Sequence, residues 1–336
     1  MVSTAPPART RLGGLDSLKG IAISLVVLIH AAPSGAPDYE RYVISGIARL
    51  AVPLFLVISG FLIGSSQPPR AKLVLYFWKF VRLHLLYSAF YWALEPLGFR
   101  EGRPLTLKNA LMHFAAFAYP GQFYLFVLPQ IYFLFAFLVP ERLRSTTGLL
   151  VGSLLLSAGS VAFLAASVSS GSSAPLPWIF AGQAEATLVV WIFAFTVGIW
   201  MGARAADPRL SRSGAVSSLM FACMAATLTA LHLPATDGVD YVERYAYARW
   251  SVLIGTALLA AGLPWASRGL RLGPVEALGR ESFGIFVLNP VILGILINQL
   301  GNVATLARSF LYAAATLAIA YSITRLLRRR IPFAFP

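Results

Sequence analysis

The sequence has few charged residues and very few acidic ones. Charged residues make up only 12% of its 336 positions, and 13 Asp and Glu stand against 27 Lys and Arg. Soluble proteins carry about a quarter charged residues. Apolar residues of the AVILMFWYC class make up 58%. So little charge and so much apolar surface exclude an ordinary soluble domain and indicate an integral membrane protein.

The chain also lacks the groups that several reaction classes require. A single cysteine, Cys223, excludes a disulfide framework and a cysteine metal site. No glycine-rich nucleotide loop, zinc-ligand spacing or nucleophile elbow is present, so we expect no bound metal. The longest stretch outside the apolar segments is about 25 residues, too short for a separate domain. Any chemistry is therefore expected within the membrane-spanning part or at its edge.

Long apolar segments predict an all-α integral membrane protein with a bundle of about ten transmembrane helices. The ten segments are residues 17–33, 44–64, 73–95, 121–139, 147–169, 185–203, 214–232, 250–266, 281–299 and 304–325. Within residues 96–120, the sequence LKNALMHFAAF predicts a short re-entrant or interfacial helix. We expect a cytoplasmic tail over residues 1–16, a transmembrane domain over 17–325 and a basic cytoplasmic tail over 326–336.

The basic residues are concentrated on one side of these segments. With the N-terminus in the cytoplasm, 19 of the 27 Lys and Arg and five of the 13 acidic residues are cytoplasmic, which assigns the whole net charge of +14 to that side. The positive-inside rule predicts this pattern, and an even number of spans places both termini in the cytoplasm. Abundant Arg and Ala are typical of a GC-rich bacterial genome, so we expect the protein in a bacterial cytoplasmic membrane. Because the cations are scattered over short loops beside lipid, we expect anionic headgroups, not nucleic acid, as their partners.

The first apolar segment carries two ionisable residues, Lys19 near its start and His30 near its end. Eleven residues of α-helix make three turns and a small remainder, so both side chains point to nearly the same side, with a rise of about 16 Å between them. Ionisable groups inside a membrane are costly and indicate function by default. The pair predicts a polar cavity that leads to a buried reactive centre. Alternatively, Lys19 anchors the helix at the interface and His30 packs against a neighbouring helix.

A second pair of cations, Lys79 and Arg82, lies at the start of the third segment. Residues three apart are neighbours on a helix, so the two charges repel and a shared anion would compensate them. Anchoring at the cytoplasmic surface is the alternative. His84 lies off the face of this pair and is expected to be structural. Further polar residues are candidates for substrate contact or support of the site: Asp16, Ser59, Gln122, Tyr124, Glu185 and Asn289.

The second segment, RLAVPLFLVISGFLIG, has small residues four positions apart at Gly60 and Gly64. This small-xxx-small pattern predicts close packing against another helix. Pro53 is expected to kink the segment or to mark its start. We interpret the segment as a wall of the cavity, with Ser59 adjacent to the packing face.

Together these motifs resemble the acyltransferase-3 family of multi-pass membrane O-acyltransferases. The family's opening pattern, Leu-Asp-x-Leu-Arg/Lys-Gly followed by an apolar helix that ends in His, is matched from Leu15 to His30. Its next pattern, in which Val or Pro precedes Leu-Phe-x-x-x-Ser-Gly-Phe-Leu-Ile, is matched by Pro53–Ile63. GQFYL, Gly121–Leu125, is similar to its aromatic Trp-Tyr/Phe-Leu stretch. The resemblance covers nearly the whole chain.

Two family motifs are matched with a change. The paired basic motif usually has two Arg, and in this chain it is Lys79 and Arg82. RESFGIFVLNP resembles the late pattern Ser-x-x-x-Tyr/Phe-Leu-x-His-Pro, but Asn289 stands in place of the His. The sequence leaves open what replaces a contribution of that late His, and a divergent acceptor is one interpretation of Asn289.

The resemblance implies a membrane enzyme that moves an acyl group, commonly acetyl from acetyl-CoA, to a hydroxyl of a carbohydrate or another small molecule. It implies that the phosphates of the acyl-CoA meet Lys19, Lys79 and Arg82, and that His30 acts as general base or carries the acyl group. An envelope glycan is the first candidate acceptor and a secreted metabolite the second. The oligomeric state is left open by the sequence.

Two other functions fit part of the sequence. A transporter or flippase for an acyl donor, a lipid-linked sugar or a metabolite would also have ten spans and buried polar groups. However, transporters built from repeats show matched interrupted helices in both halves, and none is evident in this sequence. A non-catalytic scaffold is the third possibility, and it should tolerate the substitution His30→Gln.

Overall fold

Helices are the regular secondary structure of the described part of the chain, which contains no strand. A computed structural model describes residues 13–32, 48–94, 106–114, 122–169, 188–205, 247, 250–303, 305–331 and 333–334. Its α-helices are α1 Gly13–His30, α2 Ala51–Ser66, α3 Arg70–Leu94, α4 Leu107–Phe114, α5 Gln122–Phe133, α6 Thr147–Ser169, α7 Leu188–Ala203, α8 Trp250–Gly269, α9 Gly273–Arg280, α10 Ser282–Leu300 and α11 Leu306–Arg330. A π-helical turn, Leu134–Leu138, continues α5, and a 3-10 turn, Glu141–Leu143, follows it.

Five helices of the described ranges, α1, α3, α8, α10 and α11, are long and apolar enough to cross a membrane. Four further helices are apolar but shorter: α2, α7, α5 together with its π-helical turn, and most of α6. Each of these nine coincides with a predicted segment, and predicted segment 214–232 lies outside the described residues. The fold class, an all-helical multi-pass membrane protein, agrees with the prediction. The predicted number of about ten spans is not confirmed.

Several helix boundaries are informative. Helix α1 begins four residues before predicted segment 17–33, and α11 continues five residues past 325. Helix α4 confirms the short helix expected within residues 96–120. Pro53 lies in the first turn of α2, so it marks the start of the helix, where a missing backbone N–H costs nothing. Helix α9 was not predicted.

Helices α2 and α7 pack closely against each other, and glycines on both helices make the approach possible. A Cβ atom at Gly60 or Gly64 of α2 would overlap a backbone carbonyl oxygen of α7, that of Phe195 or Ile199 respectively. Gly198 and Gly202 of α7 stand in the same relation to carbonyl oxygens of Val57 and Phe61 in α2. The close packing predicted for Gly60 and Gly64 is thus confirmed, and the partner helix carries the same small-xxx-small spacing.

Helix α1 lies at the centre of the bundle, in contact with α2, α8, α9, α10 and α11. Two of its first residues permit this burial, because a Cβ at Gly14 would overlap the carbonyl oxygen of Ala266 and one at Gly20 that of Val275. From the other side, Gly279 of α9 lies against the backbone carbonyl of Asp16. The first half of α1 is therefore held tightly between α8 and α9.

The arginine-rich turns lie at one end of the bundle. A chain of arginine contacts joins them: Arg144 to the carbonyl of Pro68 (3.2 Å), Arg204 to that of Ser145 (3.2 Å), Arg268 to that of Ala205, and Arg328 to the carboxylate of Glu281 (3.1 Å). We call this the basic end. The positive-inside rule predicts that it faces the cytosol.

Candidate functional site

A cavity of about 200 Å³ lies between α2, α3, α5 and α10. Its lining consists of Phe55, Ser59, Lys79, Phe80, Tyr124, Leu128, Ser282, Phe283 and Phe286. Five of these nine residues are aromatic, and the polar groups are one ammonium and three hydroxyls. The cavity thus brings together three residues predicted from the sequence, Ser59, Lys79 and Tyr124.

Helical periodicity explains why these particular side chains converge. Phe55 and Ser59, Tyr124 and Leu128, and Ser282 and Phe286 are three pairs spaced four residues apart, so each helix presents one face to the cavity. The Tyr124 ring packs against the rings of two of them, with centroids 6.2 Å from that of Phe55 and 5.4 Å from that of Phe286. The site is a cavity with a largely aromatic lining, built from four helices.

The hydroxyls of Tyr124 and Ser59 are engaged within the protein. Tyr124 makes a side-chain hydrogen bond with Ser59, whose hydroxyl donates to the carbonyl of Phe55 at 2.8 Å. This short relay satisfies two of the three hydroxyls of the cavity. The groups that remain to bind a ligand are Lys79 and Ser282.

Lys79 and Arg82 lie within electrostatic reach of each other, so their two positive charges repel. Lys79 is half-buried in the cavity wall, with its ammonium 5.9 Å from the centroid of the Phe80 ring, and Arg82 is exposed. In the ranges that the structure describes, neither cation forms an ion pair with a carboxylate. Two adjacent cations without a protein anion are the arrangement expected at a site for an anionic ligand.

Lys19 differs from Lys79 and Arg82 in having a carboxylate partner, because its ammonium lies 3.5 Å from a carboxylate oxygen of Asp16. Asp16 is buried, with 4% of its surface exposed, and the tight contacts of Gly20 and Gly279 fix the backbone around it. Lys19 does not line the cavity. Asp16 therefore pairs with Lys19, and of the two lysines only Lys79 lines the cavity.

His30 is the last residue of α1 and is half-buried. It belongs to the same unbroken helix as Lys19, so the predicted rise of about 16 Å between them holds. His30 is not among the residues that line the cavity. Of the four residues predicted to bind the donor or to catalyse transfer, the structure places only Lys79 in its wall.

The acyltransferase-3 family model, described as an acyltransferase domain, matches residues 12–325. The chain belongs to this acyltransferase family. No curated protein and no solved structure matches it. The family and the apolar helices together establish a multi-pass membrane acyltransferase.

Asn289 of this acyltransferase lies behind the cavity wall and is fully buried. Pro290 has no backbone N–H, so it cannot bond the carbonyl of Phe286, four residues earlier. The Asn289 side-chain amide donates to that carbonyl instead, at 2.6 Å. The residue that replaces the family's late His therefore supports Phe286, which lines the cavity.

Of three other residues named from the sequence, only His84 can be placed with its side chain. The interpretation of His84 as structural agrees with its geometry, since its Nε2 donates to the carbonyl of Phe114 at 2.7 Å and ties α4 to α3. Gln122 is the first residue of α5, and its side chain is outside the described part of the acyltransferase. Glu185 also lies outside the described residues.

Sequence reasoning missed the cavity residues contributed by α10. Ser282 is the Ser of the late family pattern, but the sequence alone gave no reason to place it beside Lys79. Its position follows from α9, whose Pro274 near the start, Glu276 in the first turn and Arg280 in the last are signals for a helix. Predicted segment 281–299 already placed the start of a helix at this point, but nothing in the sequence brought that start beside Lys79.

Proposed function

We propose that this membrane acyltransferase moves an acyl group, with acetyl as the first candidate, from cytosolic acyl-CoA to a hydroxyl of a carbohydrate or small-molecule acceptor in a bacterial cytoplasmic membrane. The observation that supports this most strongly is the pair Lys79 and Arg82, which forms no ion pair with a described carboxylate and of which Lys79 lines an aromatic cavity. Acyl-CoA has the matching chemistry, because it joins an anionic nucleotide end to a long, nearly uncharged arm.

The position of the cavity favours a donor that arrives from the basic end. Lys79 is nine residues from the start of α3, a rise of about 14 Å, and Ser282 is the first residue of α10. Both helices begin at the basic end, whose positive charge attracts anions from the adjoining solution. The phosphates of the donor would remain near Lys79 and Arg82, while its thioester arm extends along the aromatic wall.

His30 is the group that we assign to the transfer step. As general base, its imidazole takes the proton of the acceptor hydroxyl while the oxygen attacks the thioester carbonyl. The C–S bond then breaks, and the imidazolium returns the proton to the departing thiolate. In the alternative route, an imidazole nitrogen attacks the thioester first, the C–S bond breaks as the N–C bond forms, and the thiolate leaves with the imidazole proton as free CoA. The acceptor hydroxyl then attacks the acyl group on His30, and its proton passes to the released imidazole. Both routes need His30 and release free CoA.

Loss of one cation of the pair is the direct test of the donor site. Lys79→Met should weaken acyl-CoA binding about tenfold or more, because a charge-assisted contact to phosphate is lost. Arg82→Gln should act in the same direction with a smaller effect, since Arg82 is exposed. The affinity is measured by calorimetry or ligand-dependent thermal shift with purified protein in nanodiscs.

Lys72→Met is the matched control. Lys72 lies on the same helix and carries the same charge, but its ammonium faces the ring of Tyr76 and does not line the cavity. A change of net charge alone would affect both variants equally. If Lys79→Met binds acyl-CoA as tightly as Lys72→Met does, the donor does not contact Lys79.

A further inference from the structure

We infer that the start of α10 is a phosphoryl-binding subsite, formed by its first backbone N–H groups, the Ser282 hydroxyl and the Lys79 ammonium. This inference rests on the proposed function, because it names the part of the donor that the site would hold. Its elements are a 19-residue helix that begins at the cavity and two polar side chains in the cavity lining.

The first turn of α10 has no side-chain cap. The residue before it, Glu281, makes no capping hydrogen bond, and its carboxylate is bound to Arg328 at 3.1 Å. The preceding carboxylate in the sequence, that of Glu276, forms ion pairs with Arg271 and Arg280. A helix start without a cap leaves backbone N–H donors and a partial positive charge, which together favour a phosphate.

Ser282 supplies the second, independent observation. Ser282 is more than nine-tenths buried, with 8% of its surface exposed, and it lines the cavity. No hydrogen bond of its hydroxyl occurs within the described part of the chain, whereas the nearby hydroxyls of Ser59 and Tyr124 are engaged. The hydroxyl has no protein partner among the described residues and borders the cavity, so it is available to form a hydrogen bond with a ligand there.

Lys79 completes the site with a full charge. It lines the same cavity as Ser282 and has no carboxylate partner among the described residues. A hydroxyl, an ammonium and a helix start together match the tetrahedral oxygens of a phosphoryl group. Such a group is carried by the nucleotide end of acyl-CoA, and also by the headgroup of an anionic phospholipid.

Two substitutions at Ser282 test the subsite. Ser282→Ala should weaken CoA binding about tenfold, through loss of one hydrogen bond to a charged group. Ser282→Asp should weaken it further, because the carboxylate would occupy the helix start and pair with Lys79. The same Asp should leave the unfolding temperature unchanged or raise it, since acidic residues stabilise a helix start. A purely structural role for Ser282 would not produce this combination.

The matched control is Ser251→Ala. Ser251 is also buried, its hydroxyl has no hydrogen-bond partner within the described residues, and it lies in α8 outside the cavity lining. Pantetheine, which has no phosphate, and inorganic pyrophosphate serve as further probes. We expect Ser282→Asp to weaken CoA and pyrophosphate binding while pantetheine binding is retained, and Ser251→Ala to bind all three as the wild type does.

The lipid composition of the nanodiscs distinguishes a phosphoryl group of the donor from that of a lipid headgroup. In nanodiscs of phosphatidylcholine, a Ser282-dependent affinity for CoA assigns the subsite to the donor. If only phosphatidylglycerol stabilises the protein in a Ser282-dependent way, the subsite binds lipid instead and the acyl-CoA proposal loses its support. If wild type turns over acyl-CoA but both Ser282 variants bind CoA, pyrophosphate and phosphatidylglycerol normally, the inference is wrong and the proposed function stands.

Discussion

Replacement of His30 by Ala is expected to slow acyl transfer by about 10²–10⁴-fold, the usual contribution of a general base. Donor binding should persist, because Lys79 and the aromatic wall of the cavity lie on other helices. His30 is the last residue of α1, so the substitution leaves the helix itself intact. The rate of product formation and the acyl-CoA affinity are measured on the same preparation, which separates chemistry from binding.

His30→Gln and His84→Gln make this test specific. Glutamine at position 30 keeps a polar side chain that packs, so a scaffold would tolerate it, whereas a base or acyl carrier would not. Glutamine at position 84 can still donate to the carbonyl of Phe114, as His84 does at 2.7 Å, and should retain transfer. Normal turnover by His30→Gln would exclude both roles assigned to His30.

Gly60→Ala is expected to lower the free energy of unfolding by about 3 kcal/mol, at the upper end of the usual cost of overpacking. The new methyl group would overlap the carbonyl oxygen of Phe195, a backbone atom that cannot turn aside. Helices α2 and α7 must then separate, which also disturbs Phe55 and Ser59 in the cavity wall. Unfolding of the purified protein in detergent, followed by circular dichroism, measures the effect.

The same substitution at Gly152 of α6 is the matched control, because nothing lies within 4 Å of a Cβ at that position. Alanine is the better helix former, so Gly152→Ala should be neutral or stabilise by about 0.5–1 kcal/mol. Equal unfolding free energies for Gly60→Ala and Gly152→Ala would contradict the close contact of α2 with α7.

Apolar segments and small-residue spacing predicted much of the fold. The start of predicted segment 281–299 is one residue from that of α10, and Gly60 and Gly64 were correctly expected to pack against another helix. These features are local, since they depend on the length of an apolar run or on spacing along one helix. The partner of the glycines, α7, was not predicted: Gly198 and Gly202 give it the same spacing, but such spacing does not specify which two helices pair.

The candidate site was predicted only in part, because the pairing of distant helices also decides which side chains meet there. Ser59, Lys79 and Tyr124 were named as polar residues in spans, but their convergence on one cavity depends on how α2, α3 and α5 pack. Ser282 was missed because its exposure to the cavity depends on α9 ending immediately before it. The ion pair of Asp16 with Lys19 follows from a spacing of three residues and was within reach of the sequence.

The central claim, transfer from acyl-CoA, is tested most directly by incubating wild-type protein in nanodiscs with acetyl-CoA and longer acyl-CoAs and measuring free CoA. This measurement needs no knowledge of the acceptor, because water replaces the acceptor hydroxyl in a slow hydrolysis. We expect saturable release of free CoA that His30→Ala abolishes and Lys79→Met shifts to higher donor concentration. Binding without release of CoA, or no binding of any acyl-CoA tested, would contradict the account and favour a transporter.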